Sequence, residues 1–265
     1  MARSADRKRV LVTGASGLIG SLVIANLAEK YDLSGLSRRP VEGIPHLQAD
    51  ICDLDAIRPA FESIDVVLHL AADTSPEIMS EWEGTMRATV AGTLNVFKAA
   101  AEAGVQRVVF MSSGSTMCGY EWDDSLPYGK LAAGEYDDVA LGWPMIDYQD
   151  LPRPDSPYAV GKLFGEQCGR WFSDRKGLSV LCIRLGAVLP DDRPALLRHF
   201  PGYLSQGDAV QMIDRCIDAP LSLRYDIFDA ISENRYRWRD TSHARDVLGW
   251  EPTGSADRFN PDDYR

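Results

Sequence analysis

Tyr158-Ala-Val-Gly-Lys162 places a tyrosine four residues ahead of a lysine. On a helix, positions i and i+4 share a face, so an ammonium there can sit beside the phenol. A free phenol, with a pKa near ~10, is a poor base at neutral pH. A nearby lysine cation would favour the phenolate. Tyr158 could then pass a proton to or from a substrate oxygen while hydride moves at the carbon that bears it. Ser113 follows the apolar run Arg107–Met111 and could hydrogen-bond the same oxygen. A tyrosine–lysine spacing recurs by chance in many chains, so its weight depends on the segments that precede it.

The first such segment is Thr13-Gly-Ala-Ser-Gly-Leu-Ile-Gly20, which ends a strand-like run and opens a helical one. Gly14 permits a tight turn, Gly17 admits a pyrophosphate close to the backbone, and Gly20 lets helix and strand pack closely. Ser16, Leu18 and Ile19 complete the cofactor-binding turn. The helix start presents free N–H groups and a partial positive charge to phosphates. At the end of the second strand, where an acid usually holds the ribose hydroxyls, the chain reads Ser37-Arg38-Arg39. Two guanidiniums attract a 2′-phosphate that a carboxylate would repel. The expectation is therefore NADP(H) as preferred cofactor, with NAD(H) as the alternative.

These groups need a scaffold, and the hydrophobic pattern supplies one. Short apolar runs predict strands at Arg9–Thr13, Asp32–Leu36, His46–Gln48, Val66–His69, Arg107–Met111, Ser179–Ile183 and Tyr225–Phe228. Helical patterns fall between them at Ser21–Glu29, Leu54–Phe61, Thr85–Ala103, Tyr158–Arg175, Gln206–Ala219 and Thr241–Leu248. Such alternation predicts an α/β fold, a Rossmann-type doubly wound parallel sheet. The whole chain, 1–265, reads as one NAD(P)-binding domain. Within it, 114–155 is a Gly-, Asp-, Tyr- and Pro-rich active-site cover, and 186–265 is a small C-terminal substrate-binding lobe. Tyr120, Trp122, Tyr128, Trp143 and Tyr148 either line a pocket in that cover or pack it down.

The 265 residues, 45% of them hydrophobic, suffice for a substantial core. A formal charge of -11 makes nucleic acid and anionic membrane surfaces poor partners and leaves a small-molecule alcohol or carbonyl as substrate. Five scattered cysteines without metal-ligand spacing point to reduced thiols in a cytoplasmic protein with no metal site. No signal peptide and no membrane-length apolar run is evident.

Taken together, these motifs resemble the extended short-chain dehydrogenase/reductase superfamily, which includes NAD(P)-dependent epimerases and dehydratases. The further matching pieces are Asp50-Ile51, His69-Leu-Ala-Ala72, Gly92-Thr-Leu-Asn-Val96, Ser112-Ser113, Arg184-Leu-Gly186 and Ala244-Arg-Asp-Val-Leu-Gly-Trp-Glu-Pro252. The resemblance implies that Asp50 and Ile51 contact the adenine and that Leu70, Ala71 and Ala72 lie along the dinucleotide. It also implies that Leu185 adjoins the cofactor, that Lys162 holds the nicotinamide ribose, and that the long helices form a homodimer. Within the superfamily the chain is most similar to uronate dehydrogenases and archaeal hexose-phosphate dehydrogenases. Where those enzymes carry an acid, this chain has Ser37; their Asn-His pair after the serine is Gly114-Ser115. A substrate-touching serine becomes Ala187, and an asparagine of the fourth helix becomes Thr89. Thr74, Ser75, Gly114 and Ser115 remain as substrate contacts, and Arg193 or Arg198 could meet an anion.

Four functional readings follow. The first is an NADP(H)-preferring dehydrogenase or ketoreductase acting on a sugar or a hydrophobic ketone. The second is an NAD-dependent uronate or hexose-phosphate dehydrogenase. The third is a sugar-nucleotide epimerase or dehydratase, against which the short chain after Ile183 argues. The fourth is a non-catalytic NADP sensor, which would not need Ser113, Tyr158 and Lys162.

Overall fold

Val10, Leu11 and Val12 are at most 1% exposed, which demands neighbours on both edges and both faces of the first strand. In the computed structural model, which describes residues 7–73, 75 and 80–265, β1 (Arg9–Thr13) has them. It pairs in parallel with β2 (Asp32–Ser37) on one side and β4 (Val66–His69) on the other, with Val12 opposite both Gly35 and Leu68. β3 (His46–Gln48) adds to β2, and β5 (Arg107–Met111) adds to β4. With β6 (Ser179–Leu185) and β7 (Tyr225–Ala230) the sheet order is β3-β2-β1-β4-β5-β6-β7. The order reverses direction between β1 and β4, the place where this architecture opens a crevice at the strand ends.

The chain divides into two compact units. The first comprises Met1–Ser112, Ser156–Cys182 and Cys216–Asp226. Its helices are α1 (Leu18–Leu27), the short α2 (Leu54–Ile57), α3 (Thr93–Glu102) and α5 (Pro157–Lys176). Local chemistry sets the limits of α5. Ser156 caps it by accepting from the Ala159 amide, Pro157 opens it, and Gly177 closes it at φ 71°. Gly161, Gly165 and Gly169 form a bare stripe along this helix. A Cβ at Gly165 would lie 2.2 Å from Phe110, and one at Gly169 would lie 2.7 Å from Val180, so the helix sits directly on β5 and β6. The expected helix over Thr85–Ala103 is present with a difference: Thr85–Gly92 is wound as a π-helix before α3 begins.

Arg107, 1% exposed, anchors the far end of the first unit. Its guanidinium donates to the carbonyls of Cys216 at 3.1 Å and Pro220 at 2.8 Å, where α6 (Gln206–Asp218) ends. A cation at a helix C-terminus satisfies carbonyls that have no partner inside the helix.

The second unit comprises Ser113–Asp155, Ile183–Arg215 and Ile227–Arg265. The 114–155 stretch is not featureless: it holds 3₁₀ turns at Gly114–Thr116, Cys118–Trp122 and Tyr136–Asp138, and α4 at Tyr128–Ala133. Met117, Tyr128, Leu131, Ile146 and Trp238 form its core. Tyr128 stacks on Trp238 with ring centroids 4.9 Å apart, and Tyr136 on Tyr236 at 3.6 Å. Backbone bonds from Ile146 N to Trp238 O and from Asp240 N to Ile146 O tie the stretch down. Of the aromatic residues weighed as pocket lining, Tyr120, Tyr128 and Trp143 are engaged in this packing. Near the C-terminus α7 (Ser242–Leu248) ends at Gly249, and the buried Trp250 indole donates to Asp208 O.

Candidate active site

The glycine turn sits where β1 meets β4. Gly14 has φ +71°, and a Cβ there would meet the Ala71 amide nitrogen at 2.8 Å. At Gly20 it would meet Ala15 O at 2.6 Å, and at Gly17 Gly14 O at 3.3 Å. Gly17 lies at the start of α1 with no side-chain cap, so the first amides of that helix point outward uncapped. Ser16, Leu18 and Ile19 lie on the same turn, and the Leu70 amide donates to Thr13 O at 3.2 Å. The three glycines and the small neighbours Ala71 and Ala72 therefore leave the backbone approachable at a helix N-terminus, which fits a dinucleotide pyrophosphate. Gly14→Ala combines a left-handed backbone with a backbone clash. It is expected to weaken NADPH binding about tenfold or more, since ~1–2 kcal/mol of strain alone approaches that factor. A fluorescence titration of the variant that matched the parent would contradict this.

The second-strand end carries its basic residues in a particular arrangement. The Ser37 hydroxyl donates to Arg39 O at 2.7 Å and lies 2.8 Å from His46 Nε2. It is therefore engaged within the loop. Arg38 Nη2 lies 3.3 Å from Asp73 Oδ2, and Arg39 Nη2 lies 3.3 Å from Ser16 O, beside the glycine turn. The Asp50–Ile51 loop is held by Asn95, which donates to the Ile51 and Cys52 carbonyls. The Cys52 amide, and then Arg87, hold the Asp50 carboxyl below its usual range. Ser75 donates to Asp73, and Thr74 lies outside the described residues.

Lys162 is 2% exposed and donates to Met111 O at 2.7 Å. Its ammonium stands 5.4 Å from the Tyr158 ring centroid and 5.1 Å from that of Phe110. The helical spacing thus brings phenol and amine together at the end of β5, whose chain runs directly on into Ser113. Burial pushes Lys162 down to about 7 and pushes Tyr158 above its ordinary value. At Tyr158 the direction is opposite to the lysine-induced lowering expected from spacing. Desolvation of an almost fully buried phenol outweighs a cation that is itself partly suppressed. His69 bridges Thr13 and Thr93 at 2.7 and 3.1 Å and is kept neutral, its pKa pushed down to about 3 by burial and then by Lys162. Thr89 Oγ1 is buried without a hydrogen-bond partner, and a Cβ at Gly161 would lie 3.0 Å from the Thr89 methyl.

In the second unit, the Ser113 hydroxyl accepts from the Ser115 amide at 3.2 Å, which leaves its own proton for another acceptor. Ser113, Gly114, Ser115, Leu185, Ala187 and Arg198 belong to the lining of a cavity of about 200 Å³. Arg193 is exposed and is not part of it. Three groups in or beside these sites were not legible from spacing. Glu166 accepts from Ser112 at 2.6 Å; Asp229 pairs with Arg239 at 2.8 Å; Glu121 pairs with Arg198 at 2.6 Å. Each joins residues far apart in the chain or of a type found on any surface. Among the described residues there is no cluster that could hold a metal ion, and no helix is long and apolar enough to cross a membrane.

A parallel sheet with this reversal, a bare glycine cradle and a buried tyrosine–lysine pair define a Rossmann-type dinucleotide-dependent oxidoreductase. Residues 10–248 match the NAD dependent epimerase/dehydratase family, and the chain belongs to that family, the extended short-chain dehydrogenase/reductases. It is 34% identical to an L-arabinose 1-dehydrogenase (NAD(P)(+)) of Haloferax volcanii, over 92% of this chain and 96% of that one. It is 31% identical to the NAD-dependent glucose-6-phosphate dehydrogenase of the same organism, over 94% and 95%. Among solved structures, a tyrosine-to-alanine mutant of Agrobacterium tumefaciens uronate dehydrogenase complexed with NAD superposes with a TM-score of 0.81. That match has 26% identity and covers 98% of this chain and 90% of the other.

Proposed function

We propose that the protein is an NADP(H)-preferring sugar dehydrogenase that interconverts a ring or chain hydroxyl and its carbonyl. The buried Tyr158–Lys162 pair at the end of β5 carries the reading. The full-length relatives whose printed names are sugar dehydrogenases supply the substrate class. A cavity of about 200 Å³ suits a single sugar ring better than a nucleotide sugar. The packing of Tyr120, Tyr128 and Trp143 into the core weakens the case for a hydrophobic ketone.

A bound nicotinamide supplies or takes up the hydride at the substrate carbon. Tyr158 exchanges the proton at the substrate oxygen. Ser113 donates a hydrogen bond to that oxygen and fixes its position. Lys162, held by Met111 O, presents its charge to the phenol and to the ribose. Gly14, Ser16, Gly17, Leu18, Ile19 and Gly20 hold the pyrophosphate side, and Asp50, Ile51, Leu70, Ala71, Ala72 and Leu185 flank the remainder. Residues 114–155 and 186–265 serve the substrate, with Ser75, Gly114 and Ser115 among its contacts. Trp82, Met86, Phe164 and Trp171 are exposed apolar side chains of the first unit, which supports a homodimer.

The test is nicotinamide absorbance at steady state, with NADP and NAD against aldoses, uronates and hexose phosphates, and with NADPH against ketones. Turnover of a sugar supports the reading, and turnover of ketones alone overturns it. For the cofactor, Arg38→Ala with Arg39→Ala is expected to shift the NADP/NAD ratio of kcat/KM toward NAD. The shift should be about 10- to 150-fold, the equivalent of ~1.5–3 kcal/mol for a charge-assisted contact. An unchanged ratio would remove the NADP preference and leave the dehydrogenase assignment in place.

A further inference from the structure

Arg198 forms part of the cavity wall of the second unit and is 47% exposed, so it is a cation that a ligand in the cavity would meet. Taken alone, it would recruit an anionic sugar. It is not alone: its Nε donates to Glu121 Oε2 at 2.6 Å and its Nη2 to Asp155 Oδ2 at 2.7 Å. Both carboxylate side chains are only 9% exposed. The other arginine in the lining, Arg239, is paired with Asp229 at 2.8 Å. Resting on the sugar dehydrogenase reading, we propose that this cavity selects an uncharged polyhydroxy substrate, because Glu121 and Asp155 already claim the one guanidinium that could receive a carboxylate or phosphate.

The charge count supports the choice. A third anion at Arg198 would gain one attraction and face two repulsions at slightly greater distance. Glu121 itself lines the cavity, and both carboxylates are held by the guanidinium and shielded from water, so solvent screens them less than it would on an open surface. Burial pushes the Glu121 carboxyl up, while Arg198 pulls it down. If Glu121 took a proton, Asp155 would still match Arg198 one for one, and no uncompensated cation would appear. His199, also in the lining, is pushed below its usual value by burial and by Arg198, so it adds no positive charge near neutrality. A neutral polyol meets no such penalty: Ser113 and Ser115 hydroxyls and the carboxylate-backed guanidinium can all exchange hydrogen bonds with it.

The experiment compares matched pairs on the wild-type protein: D-glucose with D-glucuronate, and D-glucose with glucose 6-phosphate, with L-arabinose as a further neutral probe. The expected result is a kcat/KM for the neutral member at least about tenfold above that of its anionic partner, a difference equivalent to ~1.4 kcal/mol. Glu121→Gln leaves the shape and removes one charge, and is expected to raise the anionic-to-neutral ratio about tenfold. A wild-type preference for the uronate or the phosphate overturns the inference while leaving the sugar dehydrogenase reading intact. So does an anionic-to-neutral ratio that Glu121→Gln leaves unchanged. Failure of every sugar with both cofactors overturns the reading itself.

Discussion

Tyr158→Phe is expected to lower kcat/KM for both directions by about 10²–10⁴, the range that positioned acid–base catalysis contributes. The phenol is 7% exposed and in a packed environment that phenylalanine also fits, so folding and cofactor affinity should change little. NADPH titration and thermal unfolding of the variant check this, and activity within tenfold of the parent would refute the assignment. The pH dependence follows from the direction of the shifts. Burial raises the Tyr158 pKa. Carbonyl reduction needs the protonated phenol and should be flat across the neutral range. Alcohol oxidation needs the phenolate and should climb with pH throughout it. Lys162, pushed down to about 7, is charged below that value and increasingly neutral above it. Cofactor binding restores a charged partner nearby, so the oxidation limb measured with saturating NADP should begin at lower pH than the free-enzyme shift suggests. Lys162→Met removes both the charge and the bond to Met111 O. It should raise KM for the cofactor as well as lower kcat, which separates it from Tyr158→Phe.

Much of this site is written in local sequence. β1, β4 and β5 occupy the residues that the apolar runs indicate, because a strand buried on both faces must be apolar at nearly every position. The helical pattern over Tyr158–Arg175 gives α5, which runs one residue further at each end to the limits set by Ser156 and Gly177, and the spacing of the glycines gives the turn after β1. The misses share a cause. The π-helical winding of Thr85–Gly92 answers to α5, whose bare Gly161 meets Thr85 and Thr89, and nothing in an 8-residue pattern records that neighbour. The order within 114–155 comes from contacts with 236–240, too distant in the chain for periodicity to register. The Ser37–His46 contact leaves no local signal because the two residues lie on neighbouring strands. Glu121 is bound to Arg198, 77 residues further along the chain, and Asp229 to Arg239, ten residues on across a turn of irregular chain, and neither spacing has a helical or strand period.

Arg239→Met is expected to cost about 3–5 kcal/mol of stability, the usual result of stripping one partner from a buried ion pair. The pair is dry: Arg239 and Asp229 side chains are 4% and 1% exposed, and Asp229 cannot recover its lost partner from solvent. At roughly 2–4 °C per kcal/mol for a chain of this size, the melting temperature should fall by about 10 °C. Arg239→Met with Asp229→Leu should recover most of that loss, since an apolar replacement of the whole pair is often neutral. The same arginine accounts for a glycine at position 114. A Cβ at Gly114 would lie 2.5 Å from both Nη1 and Nη2. A guanidinium is normally free to swing aside, but here Asp229 at 2.8 Å and Arg184 O at 3.5 Å hold it in place. Gly114→Ala should therefore cost about 1–3 kcal/mol, as overpacking does. That cost should largely vanish in the Arg239→Met background, where the shorter side chain leaves room. The two penalties must then be non-additive, with a coupling above ~0.5 kcal/mol in a double-mutant cycle read by denaturant unfolding. Additive penalties would mean that Arg239 moves freely and that Gly114 is required for some other reason. With the coupling confirmed, the glycine after Ser113 becomes a consequence of the buried Arg239–Asp229 bond, whose guanidinium leaves no room there for a side chain.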